Sequence, residues 1–226
     1  MSAGDWQAVG VTLRLAATTT LVLLLLGTPL AWWLARTQRS RAATVVDSLV
    51  ALPLVLPPTV LGFYLLVLLG PQGALGQAFA ALGLPPLVFS FWGLVAASVA
   101  SSLPFMVQPL RDAFAGVGVR MTEVAATLRA SPLDAFFSVA VPLSRRGFLS
   151  ALTLTFAHTV GEFGVVLMVG GNIPGATRVL SIAIYDHAEA MNYAAAHALA
   201  GGLLLASFAA LLALNLAHRR RTVAPA

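Results

Sequence analysis

"EVAATLRASPLDAFFSVAVPL", residues 123–143, places polar and small residues inside a chain that is otherwise strongly apolar. The residues from 122 to 130 favour a helix, and Ser131 followed by Pro132 ends it. Ser131 stands three residues before Asp134, which is the spacing of a capping box with proline at the first helical position. The stretch therefore predicts two short helices joined by a break.

The two short helices present different faces. The second carries four apolar residues on one side, which predicts that it lies on the membrane helices of its own chain; these residues are Leu133, Phe136, Phe137 and Ala140. The first is expected to expose small side chains, which permit close approach by another protein, beside polar side chains that fix an orientation. These residues are Ala125 and Ala126, with Glu123, Thr127 and Arg129 beside them. The residues alone leave open a plain interfacial helix that only connects two spans.

Composition identifies the rest of the chain as membrane protein. Of the 226 residues 59% are hydrophobic and 9% are charged, and the mean hydropathy is +0.90. Such a chain forms one transmembrane domain over residues 1–226, all-α and without a soluble domain. Cysteine is absent, which excludes a disulfide framework and thiolate metal sites.

All thirteen basic residues are arginine, so a Walker A phosphate loop, which needs a lysine, is excluded. The chain is therefore not expected to bind ATP in that way, and no cofactor or metal site is predicted in it. The arginines are interpreted as lying at the ends of apolar runs, where they set topology and meet anionic lipid headgroups. The net charge of +5 is therefore explained by contact of the arginines with the lipid bilayer, and no nucleic-acid partner is expected.

Five apolar runs of about 22 to 25 residues are each long enough to cross a hydrocarbon core of roughly 30 Å. They are Val11–Leu34, Val45–Leu69, Leu87–Leu110, Phe148–Val169 and Tyr193–Ala217. A short buried helix in either external loop would raise the count to six. Pro53, Pro57 and Pro58 predict a break inside the second run, either as a packing kink or as a bend that shapes a translocation pathway.

Arginine placement predicts the topology. Arginines cluster in three segments, at Arg36, Arg39 and Arg41, at Arg120, Arg129, Arg145 and Arg146, and at Arg219, Arg220 and Arg221. Loops rich in arginine stay in the cytoplasm, so these segments and the C-terminus are predicted to be cytoplasmic and the N-terminus external. The two external segments, residues 70–86 and 170–192, then hold Arg178 as their only arginine.

Glu162 and His158 are four residues apart and share a helical face in the fourth run. An unpaired carboxylate in a membrane costs several kcal/mol, so Glu162 is expected to be held by Arg178, by His158 or by backbone donors near Gly161 and Gly164. We interpret Glu162 as a structural or gating residue, because a bare carboxylate would repel an anionic solute. Asn172, Thr177 and Arg178 are the candidates for an external entrance.

The segment 123–143 resembles the EAA loop of ABC-transporter permeases. Glu123, Ala125, Ser131, Pro132, Val139, Val141 and Pro142 match its pattern, whereas Val124 replaces an alanine and Arg129 stands where the family usually has glycine. In that family the loop docks into a groove of a separate ATPase subunit. The resemblance therefore implies a coupling role for Glu123, Ala125, Ala126, Thr127, Arg129, Ser131 and Pro132, in a cytoplasmic loop at about residues 120–145.

Two further segments narrow the resemblance. "LPLVLPPTVLGFYLLVLLG" in the second run and "GEFGVVLMVGGNIPGATRVLSIAIY" at 161–185 look like the molybdate permease branch, with sulfate and tungstate permeases as close relatives. The resemblance implies a type I ABC-importer permease fold in the cytoplasmic (inner) membrane, working as a homodimer. Two ATP-binding subunits and an extracytoplasmic oxyanion-binding protein would be its partners. The pathway or gate candidates are Pro57, Pro58, His158, Glu162, Gly164, Asn172, Thr177 and Arg178.

Two other classes are weighed beside the importer. An intramembrane enzyme would use His158 and Glu162, but neither an H-E-x-x-H motif nor a G-x-S-x-G motif occurs. A channel or an ATP-independent carrier would differ in that transport continues without a partner ATPase. The expectation from the sequence is a permease subunit that is not itself an enzyme.

Overall fold

The computed structural model of the chain describes residues 1–37 and 40–219, with all of their side chains except those of residues 119, 120, 122, 126 and 214–219. Regular structure in these residues is entirely helical, as the sequence predicts. The helices are α1 (Ala3–Arg36), α2 (Arg41–Val55), α3 (Pro58–Leu69), α4 (Ala74–Ala81), α5 (Phe91–Thr127), α6 (Pro132–Leu143), α7 (Arg145–Gly161), α8 (Gly164–Gly170), α9 (Leu180–Glu189) and α10 (Tyr193–Arg219). Arg39, Arg220 and Arg221 of the predicted topology lie outside the described residues, as do the side chains of Arg120, Ala126 and Arg219.

The five-span prediction agrees with the helices that are apolar and long enough to cross a membrane. Four stretches in the described part of the chain meet this requirement, and a bent pair of helices makes a fifth. The four are Ala3–Arg36, Pro58–Ala81, Phe91–Gly118 and Tyr193–Ala213, and the pair is Arg145–Gly161 with Gly164–Gly170. Of the two segments predicted to be external, residues 170–192 hold the helix α9, which is too short to be a sixth span, whereas α4 is the last part of the apolar stretch Pro58–Ala81.

The predicted break in the second run is present. Helix α2 ends at Val55 and α3 begins at Pro58, with Leu56 and Pro57 extended between them. Neither Pro57 nor Pro58 has an amide hydrogen to donate, so the helical hydrogen-bond ladder stops there. The predicted boundaries of this span were wrong, because the apolar stretch of sufficient length runs from Pro58 to Ala81.

The fourth predicted run is not one straight helix. It divides at Glu162 and Phe163 into α7 and α8, whose axes differ by 62°. No proline marks this bend, and only the glycines of the "GEFG" sequence, Gly161 and Gly164, border it. A continuous span from Phe148 to Val169 is therefore corrected to a broken one.

The core consists of α1, α5 and α7 packed together, with α3 lying on α8 beside them. Close approach of α1 and α5 depends on Gly27, where an added Cβ would come within 2.9 Å of the Met106 side chain. Helix α10 contacts α7 and α9, and the rest of its surface is largely exposed, since only 6% of its most apolar stretch of 18 residues is buried. An apolar groove of about 910 Å³ therefore separates α10 from α1 and α7.

An aromatic cluster ties α6 to the core. The Phe136 ring lies 5.0 Å from Trp32 of α1 and 5.9 Å from Phe114 of α5, measured between ring centroids. Phe148 of α7 contacts Phe114 at 5.7 Å in an edge-on arrangement. These rings join four helices at one end of the bundle, so a displacement of α6 is felt by three helices of the core.

The other end of the bundle brings the N-terminus to the segment that follows α8. His187 Nε2 of α9 lies 2.8 Å from Asp5 Oδ1 of α1, although 182 residues separate them. Trp6 and Trp33, both partly exposed on α1, are 27 residues apart, which is about 40 Å of helix and matches a bilayer with its headgroup regions. The N-terminus and residues 170–192 thus share one end of the molecule, as the predicted topology requires.

Candidate functional site

The segment expected to couple to a partner begins at a kink. Gly118 has φ 72° and ψ 159°, a conformation outside the helical region that separates the membrane part of α5 from its last turns. Glycine accepts a positive φ without a Cβ clash, so the chain can turn here and start a second short helix. The predicted helix ends before Ser131 as expected, although it stops at Thr127 and not at Ala130, and Ser131 caps α6, which starts at Pro132.

The turn after this helix retains its geometry although glycine is absent. Arg129 has φ 64°, in the left-handed region, and the Ala130 amide donates to the Ala125 carbonyl at 3.1 Å. This six-residue hydrogen bond around a left-handed residue is the Schellman motif, in which glycine usually occupies the left-handed position. The arginine therefore holds a conformation that costs a side-chain-bearing residue about 1–2 kcal/mol.

The expectation that Ala125 is exposed was wrong. Its side chain is 8% exposed and lies inside the fold of the segment, so it does not form part of an accessible surface. Glu123 and Thr127 are exposed as expected, and the Thr127 hydroxyl donates to the Val124 carbonyl at 2.7 Å. Three apolar side chains are exposed as well, Met121, Val124 and Leu128, by 49%, 56% and 79%. We call these three residues the apolar ridge.

Helix α6 begins as predicted, with Ser131 Oγ accepting the Asp134 amide at 3.1 Å. Pro132 occupies the first turn, and the Asp134 carboxylate accepts from Ser138. The prediction of one buried apolar face was only half right. Phe136 and Ala140 pack into the core, whereas Leu133 and Phe137 remain 72% and 65% exposed. The middle of α6, Phe136–Ala140, is a π-helix.

The two helix breaks lie against each other. A Cβ on Gly164, at the start of α8, would come within 2.9 Å of Pro58 Cβ, at the start of α3. One turn further along α3, a Cβ on Gly62 would come within 2.9 Å of Met168 and 3.2 Å of the Val165 backbone. Small residues therefore let α3 and α8 touch, so that two helices that each begin after a break meet at their first residues. We call this contact the hinge pair.

Glu162 lies at the bend itself, where α7 ends. It is 8% exposed, and its Oε1 accepts the Val165 amide at 3.4 Å while its Oε2 lies 3.7 Å from His158 Nε2. The Ser181 hydroxyl of α9 donates to the Glu162 carbonyl at 2.6 Å. His158 and a backbone donor therefore hold the carboxylate, as expected, but Arg178 does not.

The His158 ring is fixed from two further sides. Phe105 stacks on it with a centroid distance of 4.1 Å, and His158 Nδ1 lies 3.0 Å from Ser102 Oγ. Ser102 is fully buried and also within 3.0 Å of the Thr159 hydroxyl. A Ser–His–Glu series results, but the serine is enclosed between α5 and α7 and no substrate can reach it. This geometry gives no support to the intramembrane enzyme, and the described residues contain no group of ligands that could hold a metal ion.

The external candidates form a different arrangement from the predicted entrance. Arg178 Nη2 pairs with Asp186 Oδ2 at 2.9 Å, and the Asn172 amide donates to both oxygens of the same carboxylate at 3.0 Å. Thr177 is completely buried, and its hydroxyl accepts the Ile173 amide at 3.1 Å. The expectation that Thr177 lines an entrance was therefore wrong, and the charge of Arg178 is already balanced.

Several residues near these sites escaped sequence reasoning. Asp5 and His187 join α1 to α9, and Arg111 of α5 bridges Asp47 of α2 at 2.5 Å; only the folded chain shows these partners. Arg14 was overlooked for another reason. It lies inside the first predicted span and not at the end of an apolar run, and a lone charge within a span is itself a signal for a functional residue.

A helix–break–helix segment at one end of a bundle of membrane helices is the arrangement expected of a membrane permease of the ABC-importer type. A family model described as "Binding-protein-dependent transport system inner membrane component" matches residues 27–222. The chain belongs to this family.

Relatives and solved structures agree with that assignment. The chain is 60% identical over 219 residues to the "Molybdenum transport system permease protein ModB" of Azotobacter vinelandii, covering 97% of this chain and 96% of the relative. It is 38% identical over 181 residues to the protein of the same name from Escherichia coli (strain K12), covering 80% and 79%. A chain of a bacterial alginate ABC transporter, crystallised with a pentasaccharide-bound periplasmic protein, aligns with a TM-score of 0.78 at 17% identity and covers 100% of this chain and 82% of its own.

Proposed function

We propose that this chain is the membrane permease subunit of an ATP-driven importer that carries molybdate across the inner membrane. Two copies would enclose the pathway, two ATPase subunits would bind on the cytoplasmic side, and an external binding protein would deliver the anion. The N-terminus would be external and the C-terminus cytoplasmic. The observation that carries the substrate assignment is the 60% identity, over 97% of the chain, to a relative named for molybdenum transport.

Coupling to ATP hydrolysis is assigned to the segment from Gly118 to Leu143. The apolar ridge offers exposed Leu128, Val124 and Met121 to a partner groove, and the fully buried centre of a protein interface is more apolar than the rest of the protein surface. Phe136, seated against Trp32 and Phe114, connects α6 to the membrane helices. Movement of the ATPase subunits would thus reach α1 and α5 through packed rings and not through a flexible linker.

The pathway is assigned to the hinge pair. Helices α3 and α8 each begin after a break and touch at their first residues, so a rotation of α3 relative to α2 would carry α8 with it. Glu162 and His158, held at this point, would act as a gating element whose hydrogen bonds differ between the two access states. Glu162 is not assigned as a ligand, because a carboxylate repels the tetrahedral anion that the proposal requires it to pass.

Reconstitution tests the proposal directly. The chain is placed in liposomes with its ATPase subunits and binding protein, and uptake of radioactive molybdate is followed with and without ATP. We expect uptake to need ATP and both partners. Uptake that continues without the ATPase would instead establish a carrier or channel. Excess sulfate or tungstate added as competitor decides between the three oxyanions, since the preferred anion suppresses uptake at the lowest concentration.

A further inference from the structure

Arg14 is a cation inside the first membrane span, with its side chain exposed on α1. It lies eight residues beyond Trp6, which is about 12 Å further along the helix. Its guanidinium carbon lies 5.3 Å from the centre of the Phe91 ring at the start of α5. In the described part of the chain no carboxylate lies within ion-pair distance of Arg14, whereas Arg178 and Arg111 each have an acidic partner.

The space around Arg14 is a half-open cavity that reaches the protein surface, which is why the Arg14 side chain is exposed. It measures about 560 Å³ and is bordered by three separate parts of the chain, namely α1, the start of α5 and the loop between α8 and α9. Its lining residues are Val11, Arg14, Ala17, Thr18, Phe91, Trp92, Gly175 and Ala176. Gly175 and Ala176 are small, and Gly175 has φ +74°, so the loop passes the cavity without filling it.

A charge at this depth is costly unless an opposite charge or water balances it. Phe91 holds the guanidinium by its ring face, and this cation–π contact leaves the in-plane N–H groups free to donate. The guanidinium fork matches two oxygens of a phosphate-like group, which distinguishes arginine from lysine as an anion ligand. The cavity therefore offers a fixed cation, free donors and enough room for a small anion.

We infer that Arg14 and its cavity bind a tetrahedral oxyanion group. Two sources carry this chemistry at the membrane surface: a dissolved oxyanion on its way into the pathway, and the phosphate of an anionic lipid. The first source rests on the function proposed above, and the second does not. Both predict the same ligand on the same arginine, so the test must separate them.

A single cysteine at Ala176 reports on the cavity, because the chain has no other cysteine and Ala176 is exposed. The Ala176→Cys chain is placed in phosphatidylcholine nanodiscs, and its rates of reaction with an anionic and a cationic methanethiosulfonate are compared. We expect Arg14→Gln to slow the anionic reagent about fivefold relative to the cationic one, which corresponds to about 1 kcal/mol between neighbouring charges. Arg41→Gln, an exposed arginine at the other end of the bundle, should leave the ratio unchanged.

Protection then identifies the source. If added molybdate or sulfate slows the labelling of the Ala176→Cys chain in phosphatidylcholine nanodiscs, the ligand of the site is the dissolved anion. If labelling slows when phosphatidylglycerol replaces phosphatidylcholine, the ligand is the lipid phosphate. Arg14→Lys, which keeps the charge but not the fork, should retain the reagent ratio and lose most of the protection. The inference would be overturned if the ratio of anionic to cationic labelling rates were the same with Arg14→Gln as with Arg14 intact. It would also be overturned if protection from labelling survived in Arg14→Gln. Because this assay uses neither ATP nor partner proteins, its failure is distinct from a failure of ATP-driven uptake.

Discussion

Gly164 lies directly against Pro58, so that a Cβ on residue 164 would come within 2.9 Å of the proline Cβ. Each residue is the first of a helix that follows a break in the chain, and the contact therefore joins two helix starts that are 106 residues apart. A proline ring cannot rotate away from an intruding methyl group, since its side chain is closed on the backbone. The two helices approach only because residue 164 is glycine.

The first prediction follows from this contact. Gly164→Ala should lower the free energy of unfolding by about 1–3 kcal/mol through overpacking, and should reduce uptake because α3 and α8 are forced apart. The matched control is Gly161→Ala, three residues earlier, where a Cβ would meet nothing within 4 Å. Thermal unfolding in detergent and uptake in liposomes are the measurements. If the two variants behave alike, the hinge pair does not limit the motion.

The second prediction concerns Arg129 and its left-handed backbone. Arg129→Gly should raise the free energy of unfolding by about 0.5–1 kcal/mol, since relief of the left-handed strain exceeds the entropy cost of glycine. The same substitution at Arg146, an ordinary position in α7, should lower it by about as much. Thermal unfolding of both variants gives the comparison. Destabilisation by Arg129→Gly would show that the arginine side chain contributes more than the strain costs.

The third prediction concerns the apolar ridge. Leu128→Ser should abolish most of the stimulation of ATP hydrolysis by the permease, because loss of a central apolar anchor costs about 2 kcal/mol or more at an interface. Leu82→Ser is the control, a leucine of similar exposure at the opposite end of the bundle, and should leave stimulation intact. ATP hydrolysis by the reconstituted complex is measured for each. Equal stimulation by the two variants would place the ATPase contact elsewhere.

Ala125 belongs to a separate test, because its side chain is buried. Ala125→Trp should disrupt the segment itself and lower the amount of folded protein, by overpacking of about 1–3 kcal/mol. Size-exclusion chromatography of the purified chain measures this loss directly. A well-folded Ala125→Trp chain that fails only in coupling would mean that the alanine faces the partner after all.

The fourth prediction concerns gating. Glu162→Gln keeps the size of the side chain and its acceptor for the Val165 amide but removes the charge that faces His158. We expect normal expression and assembly, with uptake slowed about tenfold, corresponding to a shift of about 1.4 kcal/mol between the access states. Glu189→Gln, an exposed carboxylate at the end of α9, is the control. Wild-type uptake and ATP coupling in Glu162→Gln would leave the carboxylate with a purely structural role.

The fifth prediction concerns topology. Ala42→Cys, exposed at the start of α2, should react with a membrane-impermeant maleimide only after the membrane is opened, because α2 follows an arginine-rich segment that is predicted to be cytoplasmic. Ala190→Cys, exposed after α9, should react in intact cells. Thr177 cannot serve as the external reporter, since its side chain is completely buried. The reverse labelling pattern would invert the assigned orientation.

Local features of the sequence were enough for the helix–break–helix segment, the proline break and the number of spans. Ser131, Pro132 and Asp134 specify a helix start through contacts within three residues, and Pro57 with Pro58 interrupts a helix through the missing amide donors. Apolar length alone fixes how many segments can cross a bilayer. These signals act over a few residues or depend on composition, and therefore they can be recognised without knowledge of the fold.

The partners of the polar residues were decided by tertiary structure. Arg178 pairs with Asp186 and not with Glu162, and Ala125 is buried, because both outcomes depend on how neighbouring segments pack. The 62° bend at Glu162 is likewise invisible in a run of apolar residues without proline, since it is stabilised by Ser181 from another helix and by contact with Pro58. The sequence by itself determined how many apolar segments can cross the membrane. Only long-range packing decided which charges are neutralised and which, as at Arg14, stay available to a ligand.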